Sequence, residues 1–285
     1  MRSCSVAWLL KQAGYEVFVL DGGYKAFREW ALTSAWTSRK LKMCMISGRT
    51  GCGKTRILDS LRDSLGQQVL DLEGLANHAG STFGWVSRPP QPTSEQFGNQ
   101  CAVEWRCLNS SHWVFVEDEA ANVGKCSVPP ELFSLMRQAP LVVNVVVPLR
   151  LRLDLLVEEY GGEEAQADEE WKPRMIESIV RMNRRLSDER VKEAVKALDS
   201  GDCRSVAKMF LAYYDKLYDK HLVNATGTGR GVGQRPGEIV NVEVPEEVPV
   251  FDTLAHATSV LQLVRGFSKR TSLSTDRAEK IVSFT

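Results

Sequence analysis

No two of the chain's seven cysteines (Cys4, Cys44, Cys52, Cys101, Cys107, Cys126, Cys203) stand in a C-x-x-C pair. Their odd number and irregular spacing argue against a disulfide framework or a zinc site and for free thiols in a reducing compartment. No apolar run approaches the length of a bilayer span, and no basic segment followed by a long apolar one opens the chain. A soluble, cytoplasmic protein with no membrane partner is therefore expected. Charge of neither sign is in excess, with 36 Lys and Arg against 36 Asp and Glu. This excludes a strongly basic nucleic-acid binder on average and leaves room for a local basic face. Internal repeats are absent as well.

What is present is Gly48-Arg49-Thr50-Gly51-Cys52-Gly53-Lys54-Thr55, a full G-x-x-x-x-G-K-[ST] phosphate loop. It sits between the apolar run Met43 to Ile46 and the amphipathic run Arg56 to Leu65, which read as strand and helix. In that context the glycines let backbone N–H groups turn inward around a di- or triphosphate. Lys54 then neutralises phosphate oxygens, and the Thr55 hydroxyl is placed to ligate Mg²⁺.

The 285 residues suffice for one good-sized core and a smaller appendage. Ser5 to Ala13 and Tyr24 to Leu32 read as helices, with Tyr15 to Leu20 a strand between them. Strands are expected at Gln68 to Leu72, Trp113 to Val116 and Leu141 to Val147, with a loop-rich section from Glu73 to Asn99. Continuous apolar strands alternating with helices predict an α/β fold, a parallel sheet covered on both faces. After Pro148 come an acidic stretch, Glu158 to Glu170, and helical patterns to about Leu222. Lys172 to Leu222 holds twelve basic and eight acidic residues, and Arg181, Arg184 and Arg185 lie off the apolar stripe. That face reads either as a solvated helix surface or as an RNA-backbone contact. Asn224 to Gly237 is a polar linker, Ile239 to Val244 a strand, and Thr253 to Val264 a helix; a poorly ordered tail is expected over 265–285.

Glu117-Asp118-Glu119 follows an apolar strand, where a phosphate-loop protein places its second acidic element. The catalytic candidates are thus Lys54, Glu117 and Asp118, and Thr55, Glu117 and Asp118 are the expected Mg²⁺ contacts. Asp71, Glu73, Asn77 and His78 follow the second strand, at the sheet end where open α/β folds bind ligands, and are candidate substrate contacts. Arg88, Arg150 and Arg152 are candidate phosphate clamps, since guanidinium forks match phosphate oxygens.

Several segments together resemble one family, the tRNA 2-selenouridine synthases. They are Met1-Arg2-Ser3 with Val6 to Leu10, Leu20 to Arg28 (LDGGYKAFR), the phosphate loop, and Leu70 to Gly84 (LDLEGLANHAGSTFG). Glu117-Asp118-Glu119, Pro148 to Arg152 and Tyr213 to Tyr218 (YYDKLY) complete the set. The resemblance implies an N-terminal rhodanese-like domain joined to a P-loop NTPase-like domain, acting on wobble 2-thiouridine in the tRNA anticodon arm. It implies two steps: S-geranylation from geranyl diphosphate, then selenium insertion from selenophosphate. On this reading, residues 1–36 are the last part of a rhodanese-like domain and 37–153 the P-loop α/β domain. Residues 154–223 are then a helical, locally basic region, and 224–264 a linker with a strand and a helix. The family's rhodanese cysteine falls just before Arg2-Ser3, so the chain reads as N-terminally truncated, and Cys4 lies in the following helix rather than in the catalytic loop. Ala79 stands where the family usually carries an arginine. Two other readings remain: a P-loop small-molecule kinase or NTPase using ATP or GTP, and an inactive or split-enzyme tRNA-binding module whose rhodanese-like half is a separate subunit.

Overall fold

The computed structural model describes residues 2–225 and 236–282. Three helices open the chain: α1 (Arg2–Gln12), α2 (Gly23–Leu32) and α3 (Ser34–Thr37). Residues 15–20, expected as a strand, pair with no strand among the described residues. A strand needs a neighbour to take its backbone hydrogen bonds, and none lies beside it. Strand β1 (Lys42–Ser47) then runs into the glycine-rich turn and α4 (Lys54–Asp59), which continues through one wider π turn at Ser60–Ser64. After β2 (Gln68–Leu70), Asp71 accepts the Gly74 N–H at 2.7 Å and caps α5 (Leu72–Ala76). Leu72 therefore begins a helix instead of ending the strand.

The section read as loop-rich also contains the start of α6 (Ser94–Cys107), where the Thr93 hydroxyl accepts the Gln96 N–H. Strand β3 (Trp113–Glu117), the short hairpin of β4 (Asn122–Val123) and β5 (Cys126–Ser127), α7 (Pro130–Arg137) and β6 (Leu141–Val146) follow. A helical layer comes next: α8 (Leu149–Gly161), α9 (Glu163–Gln166), α10 (Trp171–Arg181), α11 (Asp188–Asp199) and α12 (Cys203–Ala225). The acidic stretch 158–170 is thus largely helical, its charges exposed along the ends of α8 and α9. Strand β7 (Glu238–Glu243) and α13 (Thr253–Val282) close the chain. Helix α13 runs well past Arg265, where a poorly ordered tail was expected, because no proline interrupts it. Most of the linker expectation, 226–235, lies outside the described residues.

The main sheet has the order β2-β3-β1-β6-β7 with every pairing parallel, as the unbroken apolar strands predict. Strand β7, placed by sequence in a connecting segment, is its fifth strand, in register from Leu141↔Glu238 to Val146↔Glu243. One face is covered by α2, α3, α6 and α7, with Trp36, Phe97 and Trp105 wholly buried there. The N-terminal helices dock on this face: Arg28 donates to Asn99 Oδ1 at 2.7 Å, and the Trp36 ring packs on Trp105 with ring centres 5.7 Å apart. Helix α1 and the segment after it stay outside, leaving Trp8, Leu9 and Phe18 exposed, Phe18 at 87%. The other face carries α4 and α13 around Ile46, Ile57, Leu61 and Val260. A separate apolar cluster holds α10, α11 and α12 together and takes in Phe83 and Val86 from the loop after α5. Strand β1 is central, so the turn that follows it opens at the carboxyl end of the sheet, where the helical layer leans over it.

Candidate functional site

The phosphate loop is built tightly against the sheet. A side chain at Gly48 (φ 150°) would meet the Val145 carbonyl oxygen at 2.7 Å, and Gly51 and Gly53 both have φ 77°, which favours glycine. Cys52 turns inward into the core, and burial raises its thiol pKa, so this cysteine packs rather than reacts. Lys54 Nζ lies 3.2 Å from the Gly48 carbonyl and 3.4 Å from Glu117 Oε1. The Thr55 hydroxyl donates to Glu73 Oε2 at 3.2 Å and Glu117 Oε2 at 3.4 Å.

Three elements converge here. Glu73 comes from the first turn of α5, Glu117 is the last residue of β3, and Glu119 lies two residues beyond. One oxygen from each of the three carboxylates falls within 4.8 Å of the others. Gly80 backs onto the pair Glu73 and Glu119 so closely that a Cβ would sit 2.9 Å from each. With the loop, Leu155, Leu156, Tyr160 and Tyr214, these groups line a half-open cleft of about 740 Å³ counting its mouth. An all-oxygen donor set with a threonine hydroxyl fits a hard divalent cation such as Mg²⁺.

Burial raises the Glu73 carboxyl to about 9, with Glu117 and Glu119 adding repulsion, and raises Glu119 to about 7 for the same reasons. Glu117 is pushed up by burial, against the pull of Lys54. Burial opposes charge on Lys54, but the surrounding carboxylates outweigh it and raise its pKa. In chelator, the stability tied to proton uptake by Glu73 is complete below its ordinary 4.5 and is lost as pH rises through about 9. Thermal melts in EDTA should therefore fall between pH 6 and 9, on the order of 5 °C. Mg²⁺ should flatten the fall by supplying the missing positive charge, and Glu73→Gln should remove most of it; identical melts with and without Mg²⁺ at pH 9 would contradict the cation site.

The other sequence candidates are dispersed. Asp118 points away from the carboxylate cluster and accepts the Ser47 hydroxyl at 2.8 Å. Ser47 meets Tyr218, whose phenol donates to Asn144 Oδ1 at 2.8 Å, so Asp118 belongs to a polar chain across the strand ends. Asp71 caps α5, and Asn77, at φ 51°, donates to the Pro90 carbonyl at 3.1 Å. His78 is buried against Gly124, its Nδ1 without a hydrogen-bond partner among the described residues; burial lowers its pKa, and Arg88 adds to this. Arg88 is close enough to pull on the Glu73 carboxylate. Arg150 binds the Pro249 and Val248 carbonyls, remote from the cleft. Arg152 is 2% exposed and acts as a strut: its Nε donates to the Thr50 carbonyl at 2.9 Å, and its fork grips Asp215 at 2.6 and 3.0 Å. Arg49 reaches the same carboxylate at 3.9 Å. Sequence reasoning left out Glu119 as a ligand; the Glu119 N–H bonds back to the Glu117 carbonyl at 2.9 Å, and this tight turn brings the two carboxylates together. It also left out Tyr160, Tyr214 and Asp215, which only the packing of the helical layer brings here.

Residues 41–235 match the family model of the tRNA 2-selenouridine synthase AAA domain. Among curated proteins, the chain is 34% identical over 244 residues to a tRNA 2-selenouridine synthase of Hydrogenovibrio crunogenus, covering 77% of this chain and 65% of that one. Those of Sulfurovum sp. and Psychromonas ingrahamii are 34% identical over 237 residues and 31% identical over 248, covering 74% and 78% of this chain and 63% and 65% of theirs. The chain thus spans less than two-thirds of the length of these relatives. No helix among the described residues is long and apolar enough to cross a membrane. Loop, acidic strand end and sequence kinship agree: the chain belongs to the tRNA 2-selenouridine synthase family.

Proposed function

We propose that this chain is a tRNA-modifying transferase that carries geranyl from geranyl diphosphate to the sulfur of wobble 2-thiouridine. The observation that carries the reading is the closure of Lys54, Thr55, Glu73, Glu117 and Glu119 on one phosphate loop. The sulfur attacks C1 of the geranyl group: a C–S bond forms, the C1–O bond breaks, and pyrophosphate leaves with the electron pair while the base loses its N3 proton to solvent. The loop amides and Lys54 stabilise the charge that builds on the leaving group, an electrostatic contribution realised mainly in the transition state. Thr55, Glu73, Glu117 and Glu119 would hold a Mg²⁺ ion, which supplies further positive charge to the pyrophosphate.

For the second step, selenium of selenophosphate adds at C2, geranylthiolate departs with the C–S electron pair, and water takes up the phosphoryl group as phosphate. We assign that step to a rhodanese-like unit; the exposed Trp8, Leu9 and Phe18 offer it apolar contact surface. The basic helical layer, where the Arg181 guanidinium stacks 4.9 Å from the Trp85 ring centre, supports contact with the anticodon arm. Incubating the protein with 2-thiouridine tRNA, Mg²⁺ and geranyl diphosphate should yield S-geranyl-2-thiouridine by mass spectrometry. No product beside an active full-length relative would count against geranyl transfer. Rapid ATP turnover indifferent to tRNA and lost in Lys54→Ala would favour a kinase or NTPase instead.

A further inference from the structure

Next to the carboxylate cleft lies a second, narrower cavity, walled almost wholly by carbon and open at its mouth. The two are not separate: Thr50, Ser81, Leu156, Tyr160 and Tyr214 line both. From this shared rim the apolar cavity runs between α8, α10 and α12 toward Phe83, Met175 and Phe210. We propose that cleft and cavity form one amphiphilic site, in which the phosphate loop takes a diphosphate head and the cavity takes the hydrocarbon chain of the same molecule. The inference deepens the geranyl diphosphate reading and rests on it, adding the location of the chain and the residues that limit its length.

Polarity decides the occupant. The polar groups sit at the rim, Tyr214 accepting the Thr82 N–H at 3.1 Å and Tyr160 hydrogen bonded to Ser81, and the interior beyond them is apolar. A nucleobase entering here would leave its donors and acceptors without partners, at a cost of the order of 1–3 kcal/mol for each. A hydrocarbon has none to satisfy. The far wall is firm: Phe83 packs edge-on against Phe210 with ring centres 4.9 Å apart, and both belong to the cluster that holds the helical layer together. A wall of that kind stops a chain at a definite length. Ala207, on the cavity side of α12 against Leu156 and Leu211, is the small residue that keeps the passage open.

The test compares inorganic pyrophosphate with dimethylallyl, geranyl and farnesyl diphosphates, with Mg²⁺ present, by calorimetry on the full chain. Each fully buried methylene should tighten binding about fourfold, so geranyl diphosphate should bind at least tenfold tighter than dimethylallyl diphosphate. Ala207→Phe should erase this gain and leave pyrophosphate affinity unchanged, which also reports that the variant is folded. Met175→Ala, which shortens the far wall, should raise farnesyl diphosphate relative to geranyl, and it decides the matter if Ala207→Phe does not fold. Geranyl diphosphate binding within threefold of pyrophosphate, or a chain-length gain untouched by both variants, would overturn the cavity assignment while leaving the phosphate loop intact. Loss of pyrophosphate binding in the unaltered protein would instead sink the diphosphate reading itself. A chain-length gain without any tRNA product would uphold the cavity and reject the tRNA acceptor.

Discussion

Replacing Lys54 with alanine is expected to weaken pyrophosphate binding, and any turnover that depends on it, by about 100- to 1,000-fold. Lys54 is set directly against the glycine turn, and its ammonium sits between the Gly48 carbonyl and Glu117. An arriving diphosphate can draw it forward with little reorganisation, which is why its removal should fall on binding and on leaving-group stabilisation together. Lys54→Met keeps the length of the stem and should be as damaging, which separates charge from shape. Without Mg²⁺ the loss should deepen as pH rises, because Glu73 and Glu119, raised to about 9 and about 7, then shed their protons and repel the anion. Titrating wild type and both variants with pyrophosphate at pH 6 and 8.5, in Mg²⁺ and in EDTA, measures each part. Affinities within threefold of wild type would show that the glycine turn is not the anion site.

Arg152→Ala should be the most destabilising single change near the site, costing about 3 kcal/mol and lowering the melting temperature on the order of 10 °C. The figure sits at the low end of the range for a broken buried pair because Asp215 keeps 23% of its side chain in water. Two partners lose their main contact at once: the Asp215 carboxylate on α12, left with Arg49 at 3.9 Å, and the Thr50 carbonyl inside the phosphate loop. Arg152→Lys should recover little, since an ammonium cannot meet a carboxylate with two parallel bonds and reach a backbone oxygen as well. Arg150→Ala is the natural control, because Arg150 is half exposed and bonds to carbonyls near residue 248 and to Asp154, and it should change stability by less than about 1 kcal/mol. Melting curves of the three variants decide the point. A wild-type melting temperature for Arg152→Ala would mean that the guanidinium is not a strut.

What could be read beforehand follows from how local each signal is. The phosphate loop, its flanking strand and helix, and the parallel apolar strands are written in consecutive residues, and the structure places them in one sheet. The facing of Glu117-Asp118-Glu119 is not written that way. A tight turn, closed by the Glu119 N–H on the Glu117 carbonyl at 2.9 Å, brings Glu117 and Glu119 together at the loop while Asp118 meets Ser47. Arg152 looks like a phosphate clamp until Asp215, 63 residues later, is brought beside it. Strand β7 looked detached because its partner β6 is about a hundred residues away and a polar segment intervenes. The run at 15–20 shows the converse: a strand-like pattern alone does not make a strand.

The YYDKLY segment gives α12 three grips within five residues. Tyr214 holds the loop after α5, Asp215 holds Arg152 and through it the glycine turn, and Tyr218 reaches the ends of β1 and β6. Advancing a helix by one residue shifts it ~1.5 Å and turns it ~100°, so no small slide preserves all three. The helical layer therefore behaves as a latch, engaged whole or released whole, and the roof of the cleft cannot loosen without the anion cradle loosening with it.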